Sequence, residues 1–437
     1  MIVIMKPGAA CGEVFAIPSK SHLHRLLICA ALANECTVIS CEHTGAEDIK
    51  ATVACLEALG AGITILPDGF DVRPIDFANL PEKCVLPCKE SGSTFRFMLP
   101  VVCALGVTGE FHMEGRLPER PIAPLDGQLT SKGITLSRPT PTTLRCEGQL
   151  ESGIYTLPGN VSSQYISGLL MALPLINSSI DANSTLTITE DIQSGDYIAI
   201  TRDVQRAFGV EHTLTNQTYI IKGNAKYQSP EHVIADGDWS NGAFWLACGA
   251  MPGGNVTLKR MNPNSLQGDR RMADIITRIG AHLNWEQCCE NTGNQVTVKE
   301  GKRNALEIDA GAIPDLIPVI SAILSVANGT SVITNASRLR IKESDRLATT
   351  ASTLNALGAK ITELEDGLII EGVPSLKGGT VDACIDHRIA MTAAVASLAC
   401  TEPVILTGAQ AVNKSYPKLW EDLQSLGKQL EIDKEGV

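Results

Sequence analysis

Nine cationic side chains stand at the starts of apolar segments or in loops that adjoin them. Lys20 and Arg25 flank the start of SHLHRLLICAALA, Arg96 lies in STFRFMLPVVCALG, and Arg120 lies in the proline-rich RLPERPIAP. Arg340, Lys342 and Arg346 fall in RLRIKESDR, Arg388 in DHRIAMTAAVASLAC and Lys414 in NKSYPKLW. A helix start offers free N–H groups and the positive end of the dipole, and an arginine fork added there suits phosphate or carboxylate. In a chain of net charge −12, such a gathering implies a local basic cavity for small polyanions rather than a basic coat. Two carboxylates stand among these cations. Asp315 opens IPDLIPV, and Glu343 sits inside the basic loop. Each has a plain reading, helix cap for Asp315 and ion-pair partner for Glu343. Each also has a chemical one, general acid or base in an electropositive cleft. Lys20, crowded by cations, is a third candidate for proton transfer through a lowered pKa. A strand through RLRIKESDR would set Arg338, Arg340 and Lys342 on one face, where Glu343 and Asp345 are the nearest counter-charges.

Other chemistries find little support. No Ser-His-Asp order, Gly-x-Ser-x-Gly elbow or Walker A loop occurs. His22 and His24, two apart, point to different sides of a helix and make a poor metal pair. His387, beside Arg388, reads equally as substrate-facing or structural. The 14 cysteines are scattered, and the only close groups, Cys84/Cys88 and Cys288-Cys289, lack zinc spacing. Buried, reduced thiols in a cytoplasmic protein are the expectation.

Something must bring these residues together, and an internal repeat supplies it. An apolar helix tail, a glycine and a strand recur around Gly60, Gly133, Gly209, Gly280, Gly358 and Gly427, a step of roughly 72 residues. Glycine there is a helix stop, because left-handed geometry costs it little. Strongly apolar helices with polar starts keep the same step, near Ser21, Ser93, Ser163, Ser240, Asp315 and Asp386. Several are apolar nearly all round, so each repeat is expected to hold one buried helix, one amphipathic helix and several short strands. Repeats of that size are too small to stand alone and should group into larger lobes.

The composition agrees. At 437 residues, with 44% hydrophobic and 19% charged, the chain is globular and too long for one ordinary core. Aromatics at 4% leave no base-stacking platform. Neither a signal peptide nor an apolar run of membrane-spanning length is read from the sequence. The expectation is no nucleic-acid partner and no membrane partner.

Several strings then carry a resemblance: PSKSHLHR, SGSTFR, RLPERPI, GNVSSQ, QSGDY, YQSP, NSLQGD, IPD, RIKESDR, DHRIAM and NKSYP. In this order and spacing the chain resembles the 5-enolpyruvylshikimate-3-phosphate synthase family nearly end to end. The resemblance implies an α/β fold of two lobes, each of three βαβαββ-type repeats with buried helices. One lobe would be residues 1–18 plus 236–437 and the other 19–235. It implies a cleft that closes on shikimate 3-phosphate and phosphoenolpyruvate, joins them and releases phosphate in the shikimate pathway. It implies no metal or organic cofactor, and a cytoplasmic monomer.

Carried onto this chain, the resemblance makes Lys20, Asp315 and Glu343 catalytic. Lys20, Ser21, Arg25, Ser162, Ser163, Gln164, Ser194, Tyr197, Asp315 and Lys342 would contact shikimate 3-phosphate. Lys20, Gly92, Arg120, Gln164, Arg346, Arg388 and Lys414 would hold phosphoenolpyruvate. Asp315 would take the 5-hydroxyl proton and Glu343 would protonate the methylene carbon. The chain departs from the family pattern at Glu90-Ser91-Gly92-Ser93, where many relatives have Asn-Ala-Gly-Thr, at Arg338 in place of an asparagine, and at Ile385. The family is the target of glyphosate, which occupies the phosphoenolpyruvate position. UDP-N-acetylglucosamine enolpyruvyl transferases are the nearest alternative, but they typically carry a reactive cysteine in the loop that here runs Gly115–Pro121 without one. A non-catalytic anion-binding repeat protein would keep the arginines without needing both carboxylates.

Overall fold

The computed structural model describes residues 1–42, 45–176, 183–287 and 294–434. Along the described residues run α1 (Lys20–Ala31), α2 (Glu47–Ala58), α3 (Gly92–Leu105), α4 (Leu125–Thr130), α5 (Ser163–Ala172) and α6 (Gly195–Ala207). They continue with α7 (Trp239–Ala250), α8 (Met272–Ile279), α9 (Ile317–Leu324), α10 (Arg346–Ala356), α11 (His387–Ala396) and α12 (Leu419–Ser425). Two characters alternate. Every residue of α9 and α11 is buried, as their all-round apolar sequences require. By contrast, α8 buries Met272, Ile275, Ile276 and Ile279, one stripe of helical period.

The six glycines that end the amphipathic segments, Gly60, Gly133, Gly209, Gly280, Gly358 and Gly427, all have positive φ, between 74° and 100°. A side chain there would crowd the following carbonyl, so glycine is the residue that allows the chain to leave the helix and start the next strand.

Among the described residues the strands form six four-stranded sheets of one topology: a parallel pair, then two antiparallel neighbours. The parallel pair needs a crossover, and the buried helix supplies it. Thus α3 joins Lys83–Lys89 to Thr108–Met113, and α5 joins Ile154–Pro158 to Ser184–Thr189. Three repeats take a strand from distant chain. His232–Ile234 pairs with Thr37–Ser40, and Cys11–Phe15 pairs with Asn255–Met261. The N-terminal strand Ile2–Met5 lies between Val404–Thr407 and Leu430–Asp433.

The repeats gather by threes into two compact units. Unit one is Met1–Ser19, Thr44–Ala46 and Asp236–Val437, and unit two is Lys20–His43 and Glu47–Ala235. In unit one a continuous apolar core runs from Val3 and Met5 through α7, α9 and α11 to Leu426.

Three readings of the sequence need correction. The segment Ser337–Ile341 is a 3-10 helix, not a strand. Three residues per turn spread the side chains, so Arg340 and Lys342 part company. The caps of α3 and α7 are Ser91 and Asp238 rather than Ser93 and Ser240. Asp315 lies inside a 3-10 turn, Pro314–Leu316, whose capping position is Ile313. Twelve described cysteines are free, and eight of them are buried, but Cys11 and Cys36 are exposed. Cys288-Cys289 lies outside the described residues. No group of three metal-ligating side chains is found among the described residues, and none of their helices is long and apolar enough to cross a membrane.

Candidate active site

In unit one the starts of α7, α9, α10 and α11 meet around one buried arginine. Arg346, the first residue of α10, is 1% exposed. Its Nε donates to Asp386 Oδ2 at 2.8 Å, its Nη1 to Asp315 Oδ1 at 2.7 Å, and its Nη2 to Glu343 Oε2 at 2.8 Å. Asp386 is itself fully buried and caps α11 by accepting the Arg388 N–H at 2.9 Å. One carboxylate thus fixes both a helix start and the central guanidinium. A buried ion of this kind is tolerable only when its donors are satisfied, and here three carboxylates satisfy them.

Around this core lie the remaining predicted cations of the unit. Lys342 Nζ stands 3.5 Å and Arg388 Nε 3.7 Å from Asp315 Oδ1, and Lys414 Nζ stands 3.8 Å from Glu343 Oε1. Arg388 also donates from Nη1 to the Asp315 carbonyl at 2.9 Å and from Nη2 to Ser240 Oγ at 2.5 Å. All six residues predicted in this unit, Asp315, Lys342, Glu343, Arg346, Arg388 and Lys414, therefore share one cluster.

The electrostatics follow from that crowding. Burial pushes the Asp315 carboxyl up, but Lys342, Arg388 and Arg346 more than reverse it and hold the group well below the usual carboxylate range. Burial lowers the Lys342 ammonium, against the pull of Asp315. Arg346 is kept firmly charged because Asp386, Glu343 and Asp315 outweigh its burial. Arg340 stands apart from this cluster, paired with Glu363 at 2.8 Å and Asp345 at 2.9 Å.

In unit two the starts of α1, α2, α3, α5 and α6 are tied together. Lys20 Nζ bonds Asp48 Oδ2 at 2.7 Å. The Thr94 hydroxyl reaches the Asp48 carbonyl at 3.3 Å and Ser91 Oγ at 2.7 Å, which links the α2 and α3 starts. Arg25 is 2% exposed. It donates to Thr201 Oγ1 at 2.6 Å, the Ser21 carbonyl at 2.5 Å and the Tyr197 carbonyl at 3.0 Å. It therefore sets the backbone of two other predicted residues.

Arg96 Nη1 donates to Gln164 Oε1 at 2.8 Å, and Gln164 Nε2 to Ser93 Oγ at 2.9 Å. Ser162 caps α5, so Ser163 is its first residue, and Ser194 stands at the start of α6 with left-handed backbone. A Cβ on Gly92 would lie 2.8 Å from Arg96 Nη1 and 3.1 Å from Arg120 Nη1. Two guanidinium groups thus converge on Gly92, where a side chain would displace at least one of them, and Arg120 Nε is buried with no hydrogen-bond partner among the described residues.

The sequence reading missed Asp48, Asp386 and Ser240 as members of these clusters. Asp386 had a signal, since it precedes an apolar helix in the capping position. Asp48 had none, because its partner Lys20 lies 28 residues away. Of the two histidines judged unfit for metal, His24 is buried, with Nδ1 2.7 Å from Thr52 Oγ1.

The arrangement offers buried arginines, helix starts and carboxylates among cations, which suits binding of phosphates and carboxylates and proton transfer beside them. Comparison with known proteins agrees with that chemistry. A family model described as EPSP synthase (3-phosphoshikimate 1-carboxyvinyltransferase) matches residues 4–423. A 3-phosphoshikimate 1-carboxyvinyltransferase of Clostridium acetobutylicum is 38% identical over 432 residues, 97% of each chain. One of Clostridium kluyveri is 40% identical over 434 residues, 98% of each. In fold, the chain is similar to an EPSP synthase from Acinetobacter baumannii, with TM-score 0.81 and 24% identity over 99% of this chain and 100% of that one. It is also similar to the enolpyruvyl transferase NikO from Streptomyces tendae, with TM-score 0.76 and 18% identity over 98% of each. With a family model spanning nearly its whole length and relatives this similar, the chain belongs to the EPSP synthase family.

Proposed function

We propose that this chain transfers the enolpyruvyl group of phosphoenolpyruvate to the 5-hydroxyl of shikimate 3-phosphate, releasing phosphate through a tetrahedral ketal. The observation that carries the chemistry is the pair Asp315 and Glu343, two carboxylates bridged by Arg346 and bordered by Lys342, Arg388 and Lys414. The two substrates carry two phosphates and two carboxylates between them, so they repel unless fixed cations hold them together. Lys20, Arg120, Arg346, Arg388, Lys414 and Gln164 hold phosphoenolpyruvate, with Gly92 beside it. Lys20, Ser21, Arg25, Ser162, Ser163, Gln164, Ser194, Tyr197, Asp315 and Lys342 hold shikimate 3-phosphate.

In the reaction Glu343 protonates the methylene carbon of phosphoenolpyruvate, which makes the adjacent carbon cationic. The 5-hydroxyl adds to it as Asp315 takes its proton. Phosphate then leaves with the proton that Asp315 took up, as the methyl carbon returns a proton to Glu343. Asp315 is a weak base while Lys342, Arg388 and Arg346 surround it. An anionic substrate that draws on Lys342 and Arg388 raises its basicity, so the base is strengthened by the act of binding. Arg25 and Arg346 also donate to protein groups, so besides holding substrate they fix Ser21, Tyr197, Asp315 and Glu343 in place.

The proposed working species is a monomer, to be checked by sedimentation. The deciding assay is phosphate release from phosphoenolpyruvate with shikimate 3-phosphate or with UDP-N-acetylglucosamine. Release with shikimate 3-phosphate alone is expected. Release with the nucleotide sugar, or with neither, overturns the proposal. The cysteine-free loop Gly115–Pro121 argues against the nucleotide sugar.

A further inference from the structure

We propose that Tyr165 is a positioning residue, which sets the loop carrying Arg120 by donating its hydroxyl proton to the Pro121 carbonyl. The inference rests on Arg120 belonging to the phosphoenolpyruvate clamp. Tyr165 lies in the first turn of α5, next to Gln164, and is 2% exposed. Its Oη stands 2.5 Å from the Pro121 carbonyl oxygen, 44 residues away in sequence.

Arg120 differs from the other arginines of the two clusters. Arg25, Arg96, Arg346 and Arg388 each rest guanidinium nitrogens on protein acceptors. The Arg120 side chain makes no hydrogen bond or ion pair among the described residues. A guanidinium that no acceptor holds takes its direction from its backbone and from the space around it, so the place of the loop decides where the charge points.

The backbone is where Tyr165 acts. Within the loop, the Arg120 N–H bonds the Leu117 carbonyl at 3.2 Å and the Leu125 N–H bonds the Ile122 carbonyl at 2.9 Å. These are local bonds, which shape the loop without fixing where it lies. Among the described residues, the Tyr165 hydroxyl makes the only hydrogen bond that joins residues 117–124 to a distant part of the chain. Residues 118–123 also line a hollow of about 610 Å³ shared with Leu136, Arg138 and Leu144, so packing leaves the loop room to shift.

The ring has a separate contact. The Arg96 guanidinium carbon lies 5.7 Å from its centroid, within cation–π range. Burial raises the Tyr165 pKa above its ordinary value, and Arg96 and Arg120 only partly offset this. The phenol therefore keeps its proton and remains a donor at neutral pH. Tyr165→Phe removes the pin and keeps the ring beside Arg96.

The test uses the full-length enzyme with Tyr165→Phe, Arg120→Ala and the double variant, each substrate being varied against a saturating amount of the other. Tyr165→Phe is expected to raise the KM for phosphoenolpyruvate roughly three- to tenfold and to leave the KM for shikimate 3-phosphate unchanged. In the Arg120→Ala background it is expected to add nothing further. A lowered Tm with both KM values unchanged, an equal rise in both, or a full effect in the Arg120→Ala background overturns the positioning role. Crystal structures of the unaltered enzyme and of Tyr165→Phe give a readout independent of turnover. A shifted loop with Arg120 moved away from Gly92 supports the pin, and an unmoved Arg120 overturns it. Absence of turnover in the unaltered enzyme would remove the proposed function and leave the pin to be judged on those structures.

Discussion

Arg346 illustrates how single residues govern this site. Its donors are divided among Asp315, Glu343 and Asp386, so a change in any one carboxylate reaches the other two. Asp315→Asn and Glu343→Gln keep shape and remove the proton-transfer group. Each is expected to lower kcat by about 10²–10⁴-fold, with smaller changes in either KM, as steady-state kinetics will show. Equal losses in kcat and binding would mark them as anchors instead. Because the folded pKa of Asp315 lies below its ordinary value, its contribution to stability is present above about pH 4 and is lost only as pH falls through the folded value. Gly92→Ala tests the opposite unit. The added Cβ would sit 2.8 Å from Arg96 Nη1 and 3.1 Å from Arg120 Nη1, so one or both guanidinium groups must shift. The KM for phosphoenolpyruvate is expected to rise about tenfold or more, while far-UV circular dichroism stays unchanged.

At the scale of elements, the stop after each amphipathic helix is the recurrent device. At Gly427, φ is 87° and a Cβ would meet nothing within 4 Å. Substitution there isolates backbone strain from packing. Gly427→Ala is expected to cost about 1–2 kcal/mol, read from the urea midpoint, with kinetics unaltered. Gly372, by contrast, would place a Cβ 1.8 Å from the Ala327 carbonyl oxygen, so alanine there should damage the fold more severely. The buried helices work differently. Their polar starts leave the core, and their caps Ser91, Ser162, Asp238 and Asp386 fix the first turns from which the site residues project.

The whole molecule contains an asymmetry that experiment can use. His24 and His212 both lie in unit two, and burial lowers their pKa values to about 3 and about 4. Both must be neutral to fold and become charged when unfolded in acid. The stability they support is complete above pH 6.5 and falls, per histidine, by about 1.4 kcal/mol per pH unit below it, until the folded pKa is reached. All four tryptophans, Trp239, Trp245, Trp285 and Trp420, belong to unit one. On acidification from pH 7 to 4.5, far-UV circular dichroism is expected to report loss of structure before tryptophan fluorescence does. A single coincident transition would show that the units unfold together. His24→Asn with His212→Gln should flatten the pH dependence.

Local sequence determined the repeat, its buried and amphipathic helices and its glycine stops, because periodicity and left-handed backbone are short-range properties. It also marked out the cations and the Asp315 and Glu343 carboxylates through their place at polar helix starts or in the loops beside them. Tertiary structure alone decided their partners. Asp48 is found beside Lys20, Asp386 beside Arg346, and Ser240 beside Arg388, pairs separated by 28, 40 and 148 residues. It also parted Arg340 from Lys342 by winding the basic loop into a 3-10 turn. The reason is physical: a hydrogen bond between side chains forms where packing brings helix starts together, and no local pattern encodes which starts will meet.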